Sequence, residues 1–271
     1  MIAFPNCKIN IGLNIVSKRK DSYHDLETVF YPLDFFDTLE IISTSGKNEF
    51  TFSGLPVIND QHNLCIKAYD LLKKDFPELP FIKLHLHKAI PAGAGLGGGS
   101  ADGVFTLKML NDKFLLGLSK AQLKDYALQL GSDCPFFLYN QPCSATKRGE
   151  QLEPINLNLS SYKILLVNPG IHIDTSWAFL QIKPGKQKNS IKETITQPVK
   201  TWNEQLINDF EIPVFESYPE IKKIKEILYG KGALYASLSG SGSTVYGIYK
   251  KAAPVNVEFP DDYFTRVINL K

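Results

Sequence analysis

Sulfur is scarce in this chain, with four cysteines and two methionines in 271 residues. Cys7, Cys65, Cys134 and Cys143 stand far apart with no CxxC pair among them, so neither a zinc site nor a disulfide framework is indicated, and reduced, buried thiols are expected. An excess of charge of one sign is missing too. Thirty basic residues face 28 acidic ones, for a formal net charge of +2. No field of the kind that draws nucleic acid surrounds such a chain, and any anion it binds must be gripped locally. Long apolar runs are absent. The opening MIAFPNCKINIGLN has no basic leader and carries Lys8 inside its apolar stretch, and no segment approaches the ~20 residues of a membrane span. A cytoplasmic protein with no membrane or nucleic-acid partner is therefore expected; a monomer or weak homodimer is the accompanying expectation, which no residue pattern carries. The P-loop pattern G-x-x-x-x-G-K-[ST] is also lacking, because none of the Gly-Lys pairs at 46–47, 185–186 and 230–231 fits it.

What is present is an ordinary globular composition, 44% apolar and 21% charged, long enough for one or two domains with two favoured. Strands are expected at 7–16, 37–44, 48–54 and 81–90, and helices at 63–76 and 119–130, the latter with a Ser119 cap and a stop at Gly131. SDCPFFLYN (132–140) and YKILLVNPG (162–170) read as further strands, and 183–200 as a polar loop or excursion. Beyond a boundary near 150–160, a helix at 220–232 precedes strand, glycine turn and strand at 233–250, and a last strand at 263–270. Strands and helices mix without strict βαβ alternation, so the class is α+β. The division is into 1–155 and 156–271.

Six glycines crowd into PAGAGLGGGSADG (91–103), too many for a regular helix or strand. Such a stretch can be a flexible linker. Its flanks favour a tight connection: Ile82, Leu84 and Leu86 alternate with Lys83, His85 and His87 before it, and a helix with Val104, Leu107, Met109 and Leu110 follows, capped by Ser100 or Asp102. Gly93, Gly95 and Gly98 satisfy G-x-G-x-x-G. A dinucleotide-binding unit is disfavoured, because the preceding strand has a polar face and the acidic residue some 20 positions on, Asp112, falls near a helix end. A glycine loop opening a helix can still hold polyphosphate through successive backbone N–H groups and the positive helix end.

The stretch P-A-G-A-G-L-G-G-G-S-A-D (91–102) resembles the central motif of the GHMP small-molecule kinases. N-C-K-I-N-I-G-L (6–13), S-Y-H-D-L-E-T (22–28), L-G-S-D-C-P-F-F (130–137), N-P-G-I-H-I-D-T (168–175) and L-S-G-S-G-S-T-V (238–245) resemble further segments of that family, in its order over nearly the whole chain. The resemblance implies a two-domain α+β fold, with an N-terminal ATP-binding domain, a C-terminal domain and the active site in the cleft between them. It further implies an ATP- and Mg²⁺-dependent kinase. The Tyr-His pair at 23–24 points to the members whose acceptor is a cytidine diphosphate alcohol, 4-diphosphocytidyl-2-C-methyl-D-erythritol, phosphorylated on its 2-hydroxyl; a mevalonate, homoserine or sugar kinase is the alternative.

Site residues follow from the matching positions. The resemblance makes Asp133 the general base facing the acceptor hydroxyl and puts Lys8 beside it, where an ammonium offsets the charge of the forming alkoxide. Read as a lone residue, Asp133 would be a turn or cap residue. On an alternating strand Lys8 shares one polar face with Asn6 and Asn10, and Asn10 is the family's second polar residue there. The nucleotide is implied to lie against Asn63, Lys88, Pro91, Gly93, Gly95, Leu96, Gly97, Gly98, Gly99 and Ser100, with Ser100 touching phosphate or Mg²⁺ besides capping its helix. Asp102 stands where some members carry Asn. Tyr23 and Phe179 are implied to stack on the two faces of cytosine and His24 to bond its edge; their alternative is an ordinary core position. Thr175 and Gly240 complete the substrate set, and Gly240 and Gly242 pack against the first loop or substrate phosphates, or make a plain hairpin turn. A fold retained for binding alone would be expected to lose Lys8 or Asp133, and both are present.

Overall fold

The computed structural model describes residues 1–57, 62–182, 184–185 and 190–270. In chain order the first half holds β1 (Ile2–Ala3), β2 (Asn6–Lys18), β3 (His24–Phe36), β4 (Thr38–Ser43), β5 (Glu49–Gly54), α1 (Leu64–Asp75), β6 (Ile82–Lys88), α2 (Gly98–Lys113), α3 (Lys120–Leu130) and α4 (Phe136–Tyr139). The second half holds β7 (Cys143–Lys147), β8 (Gln151–Pro154), β9 (Tyr162–Asn168), α5 (Thr175–Gln181), α6 (Ile191–Thr194), a 3₁₀ turn at Val199–Glu204, α7 (Glu211–Ser217), α8 (Pro219–Gly230), β10 (Tyr235–Leu238), β11 (Val245–Lys250) and β12 (Phe264–Asn269). The mixture is α+β, as expected.

Two compact units share the chain. The first comprises 1–7, 35–92 and 97–140; the second comprises 8–34, 93–96 and 141–271.

The first unit is built on a four-stranded sheet in the order β1-β4-β6-β5, with β5 parallel to β6 and the other pairs antiparallel. The alternation read in 81–90 is the reason β6 sits as it does: Ile82, Leu84 and Leu86 are buried while Lys83 and His87 are exposed. Helices α1, α2 and α3 pack on one another and α2 also touches β4, closing a core that includes Leu39, Ile41, Cys65, Tyr69, Leu72, Leu107 and Leu110. Removing a buried leucine such as Leu84 to alanine costs about 2–5 kcal/mol in cores of this kind.

The second unit contains two four-stranded sheets, β2-β3-β7-β8 and β10-β11-β9-β12. Ten consecutive residues of β2 are buried, because its apolar face (Ile9, Ile11, Leu13, Ile15) and its polar face (Lys8, Asn10, Asn14) are both covered. A larger core gathers Leu165, Val167, Phe210, Val214, Ile221, Ile224, Leu228 and Leu238, and the apolar stripe of α8 accounts for Ile221, Ile224 and Leu228.

Three expectations need correction. Residues 132–140 form a turn and the short helix α4 instead of a strand; Cys134, Phe136, Phe137 and Leu138 N–H groups bond carbonyls three residues back, and Pro135 suits a helix start but not a strand ladder. Helix α2 is not capped by Ser100 or Asp102. It starts after Gly97, which holds φ +68, with no side-chain cap, because both side chains are taken by tertiary partners described below. The 183–200 excursion carries α6, whose Ile191 N–H donates to Glu27 Oε1 at 3.1 Å; residues 183 and 186–189 of that stretch lie outside the described residues. The 13-residue strand β3 is a further difference, since in the sequence residues 22–28 stand out only as a motif.

Candidate active site

In the second unit the polar face of β2 meets the first half of the glycine loop. Lys8 Nζ donates to Asn10 Oδ1 at 2.6 Å and to the Gly95 carbonyl at 3.3 Å, and lies 5.1 Å from the Phe30 ring centre. Asn10 is held in turn: its Nδ2 donates to Thr28 Oγ1 at 3.1 Å, its carbonyl accepts from Tyr246 and its N–H reaches Ser239 Oγ. Ser239 Oγ donates to the Gly95 carbonyl at 2.8 Å, and Thr244 N–H to the Ala94 carbonyl. The second glycine turn thus packs on the first loop while also closing the β10–β11 hairpin. Glycine is required at Gly95, where φ is +77 and a Cβ would stand 2.0 Å from the Ser239 carbonyl oxygen. Gly240 lies against Gly95 in the same contact.

In the first unit the loop continues into α2. The N–H groups of its first turn have no carbonyl four residues earlier to bond, and no side chain caps them. A Cβ at Gly99 would meet nothing within 4 Å. Ser100 Oγ donates to Asp133 Oδ1 at 3.0 Å, which brings two of the expected site residues together. Asp133 sits in the tight turn after Gly131, beside buried Cys134, whose thiol pKa is pushed up by burial and by the neighbouring carboxylate.

Behind that turn is a buried ion triad. Lys88 Nζ bonds Asp37 Oδ2 and, at 2.8 Å, Asp102 Oδ2, with all three side chains essentially sealed from solvent. Burial alone would lower the Lys88 pKa, but the two carboxylates outweigh it and hold the ammonium charged. One ammonium cannot balance two buried carboxylates. Asp102 carries the excess: burial, against the pull of Lys88, pushes its pKa up to about 7. The Lys88 side chain is therefore committed to the interior. Asn63 likewise has a structural task, accepting the Cys65 N–H at 2.9 Å as cap of α1.

The aromatic residues expected around a nucleobase lie in the second unit. His24 stacks on Phe179 with ring centres 5.1 Å apart and planes 14° from parallel, and Phe179 rests edge-on against Phe210. Burial and then the charge of Lys18 lower the His24 pKa, favouring the neutral ring. Tyr23 is 56% exposed and lies under the Arg148 guanidinium, 4.8 Å from its centre, instead of facing Phe179. Helix α5 positions Thr175 and Phe179 and is capped by Asp174, which accepts the Trp177 N–H at 2.6 Å; Thr175 Oγ1 meets Ser241 Oγ at 3.1 Å.

Sequence reasoning missed Asp37, Thr28 and Ser239. Asp37 carried a faint signal, an acid set between the aromatic pair Phe35–Phe36 and a strand; Thr28 and Ser239 stand inside the 22–28 and 238–245 motifs, which mark the segments without singling out either residue. Among the described residues no cluster of three or more His, Cys, Asp or Glu is placed to hold a metal, and no helix is long and apolar enough to cross a membrane.

Two family models and several known proteins are similar to this chain. Residues 63–141 match the GHMP kinases N terminal domain and residues 199–258 match the GHMP kinases C terminal domain. The 4-diphosphocytidyl-2-C-methyl-D-erythritol kinase of Bacteroides fragilis is 50% identical over 253 residues, covering 92% of each chain. That of Bacteroides thetaiotaomicron is 51% identical over 255 residues, again 92% of each. A solved 4-(cytidine 5'-diphospho)-2C-methyl-D-erythritol kinase superposes with a TM-score of 0.77 at 26% identity, covering 99% of both chains. A solved mevalonate kinase, at 15% identity and a TM-score of 0.71 over 93% of this chain and 92% of that one, shares the fold.

Proposed function

The chain belongs to the GHMP kinases, within the group of 4-diphosphocytidyl-2-C-methyl-D-erythritol kinases, and from that premise we propose how its residues move a phosphoryl group from ATP to the 2-hydroxyl of that alcohol. The products are the 2-phosphate and ADP, a step of the non-mevalonate route to isopentenyl diphosphate. The observation that carries the substrate is half-identity to enzymes of that name along nearly their whole length.

Phosphoryl transfer asks the protein to position the donor, to offset developing charge and to take one proton. The uncapped first turn of α2 and the glycines before it fit a polyphosphate, which such a turn holds by main-chain N–H groups. As the acceptor oxygen bonds the γ-phosphorus and the bond to the ADP oxygen breaks, the hydroxyl proton passes to Asp133, whose carboxylate is oriented by Ser100. Lys8, fixed by Asn10 and the Gly95 carbonyl, supplies the positive charge that the alkoxide needs. The Ser100 hydroxyl, in the first turn of α2, fits Mg²⁺, an ion that draws most ligands from water and substrate phosphates. Ser100 is the residue that would hold it; when bound, Mg²⁺ neutralises charge on the transferred group. Tyr23, His24, Thr175, Phe179 and Gly240 are assigned to the cytidyl substrate. Asn63, Pro91, Leu96 and the glycines are assigned to the nucleotide. The division at 155 leaves the N-terminal match in the first part and the C-terminal match in the second. A cytoplasmic monomer or weak homodimer is the accompanying proposal.

ADP release measured against 4-diphosphocytidyl-2-C-methyl-D-erythritol, mevalonate, homoserine and galactose tests the substrate, with turnover expected on the cytidyl alcohol alone. Turnover on another alcohol and none on this one overturns it. Asp133→Asn, nearly isosteric, is expected to lower kcat by about 10²–10⁴ with nucleotide affinity little changed.

A further inference from the structure

We propose that Asp37 is a positioning residue for nucleotide binding, acting through Lys88 and the chain that delivers the glycine loop. The proposal rests on the reading that the first turn of α2 takes the donor phosphates.

Asp37 lies between β3 and β4 and is 0% exposed. Its Oδ1 accepts the N–H of Ala89 at 2.7 Å and of Ile90 at 2.9 Å, and its Oδ2 accepts Lys88 Nζ. Three donors thus converge on one carboxylate from three consecutive residues. They are the last residue of β6 and the two that lead into Pro91. The Asp37 N–H is itself anchored on the Pro5 carbonyl at 2.9 Å, so the acceptor cannot drift with the segment it holds.

The hold extends to α2. Lys88 Nζ bridges to Asp102 on that helix at 2.8 Å. A Cβ at Gly98 would stand 2.9 Å from Ile90 Cγ2 and 3.1 Å from Lys88 Nζ, so Gly98 is seated directly on two of the three residues that Asp37 fixes. An anion site made of main-chain N–H groups depends on where those groups point. Without Asp37 two backbone donors lose their acceptor and Lys88 keeps a single carboxylate. The end of β6 then loses the bonds that set where α2 begins.

Asp37→Ala is expected to raise KM for ATP about tenfold, with kcat and KM for the cytidyl alcohol changed less than about twofold. Asp37→Asn, which can still accept the two backbone N–H groups but offers Lys88 no charge, is expected to fall between Ala and the unaltered protein. Calorimetric titration with inorganic tripolyphosphate reads the same loss without turnover. An unchanged KM for ATP in the folded variants, or equal rises in both KM values, overturns the proposal, since general loosening does not select one substrate. If Asp37→Ala does not fold, Asp37→Asn decides by the same criteria. Gly98→Val separates the two levels: unchanged tripolyphosphate affinity there sinks the phosphate-loop reading, whereas weakened affinity there with intact affinity in the Asp37 variants sinks only the role of Asp37.

Discussion

Asp102 is the surplus charge of the buried triad, and its pKa of about 7 against an ordinary 3.8 makes folding depend on pH. The native state holds the proton more tightly than the unfolded chain, so this carboxyl favours folding at low pH and loses that contribution as pH rises from about 4 through about 7. Asp102→Asn removes the dependence. Thermal unfolding at pH 5 and pH 8 is expected to show the variant gaining on the unaltered protein at the higher pH, whatever constant offset the amide brings. A second prediction at this scale concerns the nucleobase. CMP and CDP are expected to compete with the alcohol in the ADP-release assay, and UMP more weakly. Cytosine and uracil stack alike and differ in edge hydrogen bonds, for which neutral His24 has one donor and one acceptor. Tyr23→Ala is expected to weaken both bases by about 1–3 kcal/mol, and His24→Ala to erase mainly the preference for cytidine. Equal inhibition before mutation would remove the base-edge assignment.

Helix α5 shows how an element serves a site: seven residues carry both Thr175 and Phe179, and a single cap, Asp174, holds its first turn. Asp174→Ala is expected to cost about 0.5–2 kcal/mol of stability and to raise KM for the cytidyl substrate while leaving KM for ATP unchanged, as steady-state kinetics with each substrate varied would show. Which elements could be read from the sequence follows from how many of their faces are dry. Strand β6 was legible because one face is wet, so its alternation survives in the residues. Helix α3 was legible through local chemistry at its ends, the Ser119 cap and the stop at Gly131. Strand β3 was not, because its central Val29, Phe30 and Tyr31 are buried on both sides and leave no period. Helix α4 was misread since four apolar residues look the same in either state. The site divides similarly. Its glycine loop, Ser100 and Asp133 stand in contiguous motifs, whereas Asp37 acts on residues 51 to 53 positions away, a pairing no local pattern carries.

At the scale of the molecule, the chain passes between the two compact units five times, at 7/8, 34/35, 92/93, 96/97 and 140/141. Neither unit is a contiguous piece. A fragment 156–271 lacks every strand of the β2-β3-β7-β8 sheet, and fragment 1–155 holds that sheet without the partner strands and helices of its unit. Both fragments expressed alone are expected to show no cooperative unfolding by circular dichroism, in contrast to the whole chain. The scarcity of sulfur in the chain has a practical meaning. All four thiols are buried, and burial raises the pKa of Cys65 and Cys134 further from reactivity. Ellman's reagent should therefore find almost nothing in the native protein and four groups in denaturant. A cysteine introduced at the exposed Ala121 on α3 would then take a fluorophore alone, giving a uniformly tagged molecule without first stripping out the native sulfur.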